Sequence, residues 1–97
     1  KKNIPQKSEK KYILTVGRLT KQKNHKYLID EISNYFKTNN NYDLYIIGDG
    51  EEEAKLKEQI KALDMNDRIF LLGYSNDVYT YMKNASFFIL TSFIYFD

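Results

Sequence analysis

A chain of 97 residues, 42% hydrophobic and 29% charged, has room for one domain around a single core, and its composition excludes both a disordered tail and a disulfide scaffold. It has no cysteine and one histidine, which excludes thiol chemistry, thiolate metal sites and a histidine-built metal centre. The net charge of +2 is too small for a dedicated nucleic-acid binder, so any anion site must come from local placement of charge.

No apolar run approaches the roughly 20 residues that cross a bilayer, and the first ten residues are too polar for a signal peptide. A cytoplasmic location is the default expectation. Residues 1–11 carry Pro5 and lysines at positions 1, 2, 7, 10 and 11, and they read as a linker entering a domain at 12–97.

The first predicted strand is Tyr12 to Val16, "YILTV", short, apolar and rich in β-branched residues, and it stops at Gly17. From about Asn24, the expected N-cap, Leu28, Ile29, Ile32, Tyr35 and Phe36 fall at helical spacing on one stripe. "TNNNYD" then turns the chain, and "LYIIG" is a second buried strand that again ends in glycine.

After "GDG", the stretch "EEEAKLKEQIKAL" places Leu56, Ile60 and Leu63 on one face. Its pairs Glu51/Lys55 and Glu53/Lys57 sit four apart, and its three glutamates suit the positive end of a helix dipole. "IFLLG" makes a third strand. "NDVYTYMKNA" makes a short helix with Val78, Tyr81, Met82 and Ala85 pointing one way, and "SFFILT" is the fourth strand. Strands separated by helices imply right-handed crossovers, hence an α/β fold: a Rossmann-like parallel sheet of about four strands with helices on both faces.

Parallel sheets of this kind bind ligands beyond the carboxyl ends of their strands, where Gly17, Gly48 and Gly73 all fall. Glycine also ends strands simply by permitting tight turns. Arg18 follows the first glycine and Lys23 lies just before the helix, where free N–H groups and the helix dipole favour an anion. Arg supplies a planar fork and Lys a flexible point charge, a pair suited to a diphosphate. Lys21 and Lys26 read as solvated surface charge. The chain contains neither GxGxxG nor a P-loop "GxxxxGK[ST]", and Asp-Gly within "GDG" is also an ordinary turn dipeptide.

The segments "VGRLTKQKNHKYLI", "YIIGDGEEEAKLKEQIKAL" and "DRIFLLGYSNDVYTYMKNASFFILTS", in this order and spacing, resemble the carboxyl-terminal domain of the GT-B retaining glycosyltransferases of family 4, over about Tyr12 to Ser92. The resemblance implies donor binding: a nucleotide-sugar, UDP- or GDP-linked, gives up its sugar to a glycan or lipid-linked acceptor with retention of configuration and without a metal or other cofactor. It implies that Arg18 and Lys23 contact the donor diphosphate and act in catalysis. It further implies that Gly17 and the Gly48, Asp49, Gly50 loop lie near the nucleotide, and that Gly73 and Tyr74 meet the base. Tyr74 would either stack on the base or pack under a neighbouring loop.

The family continues after its fourth strand with "SxxEGFG", but here "TSFIYFD" follows, with Ser92 matched and Tyr95 where the glutamate would fall. The expectation is therefore a chain truncated before that motif and inactive alone, lacking the amino-terminal GT-B domain and self-associating through an exposed sheet edge. The aromatic residues near this end are expected to be core. A peripheral position at the inner face of a membrane is compatible with a lipid-linked acceptor. The alternative is a non-catalytic α/β interaction or oligomerisation module derived from the same fold.

Overall fold

The computed structural model of the protein describes residues 10–90. The sequence positions Pro5, Ser92, Tyr95 and Asp97, and with them residues 1–9 of the expected linker and the "SxxEGFG" comparison, lie outside the described residues, whereas Lys11, expected in the linker, opens the first strand.

Four parallel strands, β1 (Lys11–Val16), β2 (Tyr42–Ile47), β3 (Ile69–Gly73) and β4 (Phe87–Phe88), form one sheet in the order β3-β2-β1-β4. Helices α1 (His25–Phe36), α2 (Glu53–Ala62) and α3 (Val78–Asn84) make the crossovers, with a single 3-10 turn at Lys21–Lys23 before α1. Period-two alternation sends Ile13, Leu44, Ile46 and Ile69 to one face, where Leu28, Ile29, Ile32 and Phe36 of α1 and Leu56 and Ile60 of α2 cover them. Leu14, Tyr45, Ile47 and Leu72 face the other way, onto Val78 and Tyr81 of α3 and Ala85 just after it. Strands buried from both sides are apolar throughout for this reason. The ring of Tyr12 stacks on Tyr45 at 4.3 Å, and its hydroxyl donates to the carbonyl of Tyr81 at 2.7 Å.

The amino-terminal ends of the strands are fastened by Arg68. Its guanidinium lies 4.2 Å over the Phe36 ring and donates to the carbonyls of Phe36, Asn39 and Tyr42 and to the Asp43 carboxylate. Lys10 reaches the same carboxylate at 3.0 Å. One side chain thus ties the end of α1, the turn after it and the entry to β2.

Several local expectations change. Tyr35 leaves the α1 stripe for solvent and bonds Asn39, while His25 and Ser33 are buried in its place. Asn24 occupies the N-cap position, but it is left-handed at φ 59° and makes no side-chain cap. Its amide instead closes the preceding turn on Lys21. Helix α2 begins at Glu53, so Glu51 precedes it and only Glu53 and Lys57 pair, at 3.8 Å. Met82 is exposed rather than inward. Strand β4 is two residues long, and Phe87 and Phe88 are exposed at 56% and 43% instead of core. Among the described residues no helix is long and apolar enough to cross a membrane.

Candidate functional site

The strand order creates a switch point. Connections from β1 to β2 and β2 to β3 run one way, whereas β3 to β4 returns across the sheet to the far side of β1. The order therefore reverses at β1, and ligands of open α/β sheets bind beyond the carboxyl ends of the strands at such a switch point. Gly17, Arg18 and Lys23 belong to the loop at that place.

Hydrogen bonds zip this loop to the next. Gly17 donates its N–H to Ile47, Leu19 donates to Asp49, Glu52 donates to Leu19, and Gly48 donates to Gly73, all at 2.8 to 2.9 Å. The predicted glycines thus line one edge, running from β1 across β2 to β3. A Cβ on Gly48, which sits at φ 142°, would fall on the carbonyl oxygen of Gly17, and one on Gly50 would meet the Leu19 carbonyl oxygen at 2.6 Å. The "GDG" glycines are there because two backbones touch. Leu19 itself is 1% exposed and packs in the core below.

Arg18 and Asp49 project outward from this zipped pair of loops, with side chains 71% and 57% exposed and a separation of 3.8 Å. An ion pair this open contributes little stability, so its consequence is orientation: Asp49 holds the guanidinium beside the loop while leaving its remaining donors available. Lys23 ends the 3-10 turn, closed by its own N–H to Thr20 at 3.1 Å, and its Cδ lies 4.0 Å from where a Cβ on Gly17 would be. The lysine stem therefore lies beside the strand end, at a distance where even a methyl on Gly17 would make only ordinary van der Waals contact. Gly73 joins through its carbonyl to Gly48, and Tyr74 follows it at 74% exposure, packed under no loop.

His25 was not among the sequence candidates. It is 3% exposed, its Nδ1 has no hydrogen-bond partner, and burial first, then the neighbouring Lys23, hold its pKa below the ordinary 6.5. Its signal was available: His25 precedes Leu28, Ile29 and Ile32 by three, four and seven residues, which puts it on the apolar stripe. Among the described residues no three metal-ligating side chains are grouped.

Comparison with known proteins decides the family. The family described as "Glycosyl transferases group 1" matches residues 1–94. The chain belongs to this family. A relative from Campylobacter jejuni, N-acetylgalactosamine-N,N'-diacetylbacillosaminyl-diphospho-undecaprenol 4-alpha-N-acetylgalactosaminyltransferase, is 39% identical over 82 residues, which is 84% of this chain and 22% of that protein. The chain thus spans about a quarter or less of the curated relatives it matches.

Among solved structures, the lipopolysaccharide outer core galactosyltransferase WaaB superposes with a TM-score of 0.72 at 29% identity, over 91% of this chain and 26% of that one. TarM of S. aureus, solved with fondaparinux, alpha-GlcNAc-glycerol and UDP, superposes with a TM-score of 0.82 over 94% of this chain and 19% of that one, at 22% identity. The group 1 glycosyltransferase domain therefore has the Rossmann-like α/β fold of the GT-B enzymes, as the sequence resemblance implied.

Proposed function

We propose that this group 1 domain binds the nucleotide-sugar donor of a retaining glycosyltransferase of family 4. The observation that carries the reading is the placement of Arg18 and Lys23 about Gly17, at the switch-point end of β1. A diphosphate seated there meets a forked guanidinium and an ammonium. Both would stabilise the charge that grows on the diphosphate as the sugar leaves, and such stabilisation is strongest where water is excluded. Tyr74, 74% exposed beside Gly73, offers a ring face to a base.

No metal is required in this reading, because the two cations supply the countercharge. The acceptor is a glycan or lipid-linked saccharide, and transfer belongs to the whole protein, with an amino-terminal GT-B domain supplying the acceptor side. A lipid-linked acceptor would bring the protein to the inner face of a membrane.

Titration with UDP and with GDP, followed by amide NMR, tests the donor reading. Saturable shifts at Gly17, Gly48 and Gly73 that vanish in both Arg18→Ala and Lys23→Ala support it. Amides there that ignore both nucleotides defeat it. The exposure of Phe87, Phe88 and Leu90 in and after β4, with Tyr79 and Met82 of α3 also exposed, favours one second reading, an association surface at the β4 edge. Light scattering after size exclusion tests that: a defined oligomer insensitive to nucleotides supports an interaction module, and a monodisperse monomer rejects it.

A further inference from the structure

Lys21 and Lys26 read along the chain as surface charge, yet folding gathers them with Lys55 around one cavity of about 390 Å³, whose wall also includes Glu52, His25 and Leu56. The cavity sits at the mouth of the seam between α1 and α2. One turn beyond Lys55, Gln59 crosses that seam and donates to the Lys26 carbonyl at 2.9 Å and to the Asp30 carboxylate at 2.8 Å. Both walls are therefore held at a fixed separation.

Three observations of different kinds point to an anion. Three lysines face one glutamate here, and none of the four makes an ion pair among the described residues. Helix α1, 12 residues long, starts at this wall with no side-chain cap and no acidic residue in its first turn, leaving its first N–H groups to an outside acceptor. His25, buried at 3% exposure in the same wall, has an Nδ1 without a partner, which is costly for a buried polar atom. The remaining lining is Thr20, Asn24 and Leu56, and the methylene stems of long lysine side chains add apolar surface to such a wall.

We propose that this cavity is a second phosphoanion site that takes the phosphate or diphosphate of a ligand with an apolar body. Neither Arg18 nor Lys23 lines it. The Lys21–Lys23 turn accordingly carries two sites, with Lys23 over Gly17 and Lys21 at the cavity. The proposal goes beyond the donor reading and stands without it.

His25 is the single histidine of the sequence, so its imidazole Cε1–H gives one assignable NMR signal. The purified protein is titrated at constant pH and ionic strength with inorganic pyrophosphate and, separately, with geranyl diphosphate. The expected result is a saturable shift of the His25 signal, with binding weakened about tenfold or more in the Lys26→Ala/Lys55→Ala variant, both lysines being exposed and removable without disturbing the core. Arg18→Ala leaves that response in place. Tighter binding of geranyl diphosphate than of pyrophosphate supports an apolar body, and equal binding overturns that part. A His25 signal that does not saturate by about 10 mM of either probe, or a response abolished by Arg18→Ala and indifferent to the lysine pair, overturns the site. If UDP leaves Gly17 and Gly48 unmoved while pyrophosphate still shifts His25, the donor reading falls and this site remains.

Discussion

The two ends of the sheet solve opposite problems with the same residue type. At the amino-terminal end Arg68 is nearly enclosed, and its guanidinium is spent on three carbonyls, one carboxylate and one ring. At the carboxyl end Arg18 is mostly in water and touches a single exposed carboxylate. An arginine with four of its five donors used by its own protein holds structure, and one whose donors are mostly unused is available to a ligand. Charge alone does not separate the two; the count of satisfied donors does.

The sharpest way to break this contrast is to remove each arginine. Arg68→Ala leaves the Asp43 carboxylate without its buried partner and strips donors from Phe36, Asn39 and Tyr42, so urea unfolding should show a loss of about 3 kcal/mol or more. A loss below about 1 kcal/mol would mean that water replaces the network freely. Next in size is Gly48→Ala, which forces a methyl onto the Gly17 carbonyl and should lower stability by about 2 kcal/mol while shifting the amides of Arg18 and Leu19.

His25 supplies a smaller, pH-dependent term. Its folded pKa is depressed, so below the ordinary 6.5 the unfolded chain takes up a proton that the folded chain refuses. Stability attributable to this group is complete above that pH and declines as pH falls through it, with a slope of at most about 1.4 kcal/mol per pH unit. Unfolding curves from pH 8 down to 5 should show the decline, and His25→Gln should flatten it; an unchanged slope in the variant would assign the effect elsewhere. The smallest stability effect belongs to Arg18→Ala, within about 0.5 kcal/mol of the parent. The same variant should nonetheless lose UDP-induced shifts at Gly17, which is the contrast with Arg68 in its clearest form.

Legibility in the sequence followed the range of the interactions involved. Strand–helix alternation is local, so β1 to β3 and all three helices were readable from periodicity, and β3 came out with its observed limits. The glycines at strand ends were readable as positions, but not their cause in two touching backbones, because nothing local says that residue 48 lies against residue 17. Arg68 passed unnoticed since its partners stand 25 to 32 residues away. Tyr35 misled because a tyrosine fits an apolar stripe and a solvent face equally well. Lys21 and Lys26 were surface charges until α2 brought Lys55 to them, and His25 was passed over because a polar residue in an apolar stripe looks like an interruption.

Leu19 has a consequence for thermodynamics. It stands between the exposed Arg18 and the 3-10 turn, with its side chain in the core, its N–H bonded to Asp49 and its carbonyl bonded to Glu52. The backbone that carries the site's cations is therefore ordered before any anion arrives, and the entropy of fixing it was surrendered during folding. Calorimetry of nucleotide binding should accordingly find no large ordering penalty from this loop, and Leu19→Ala should reinstate one.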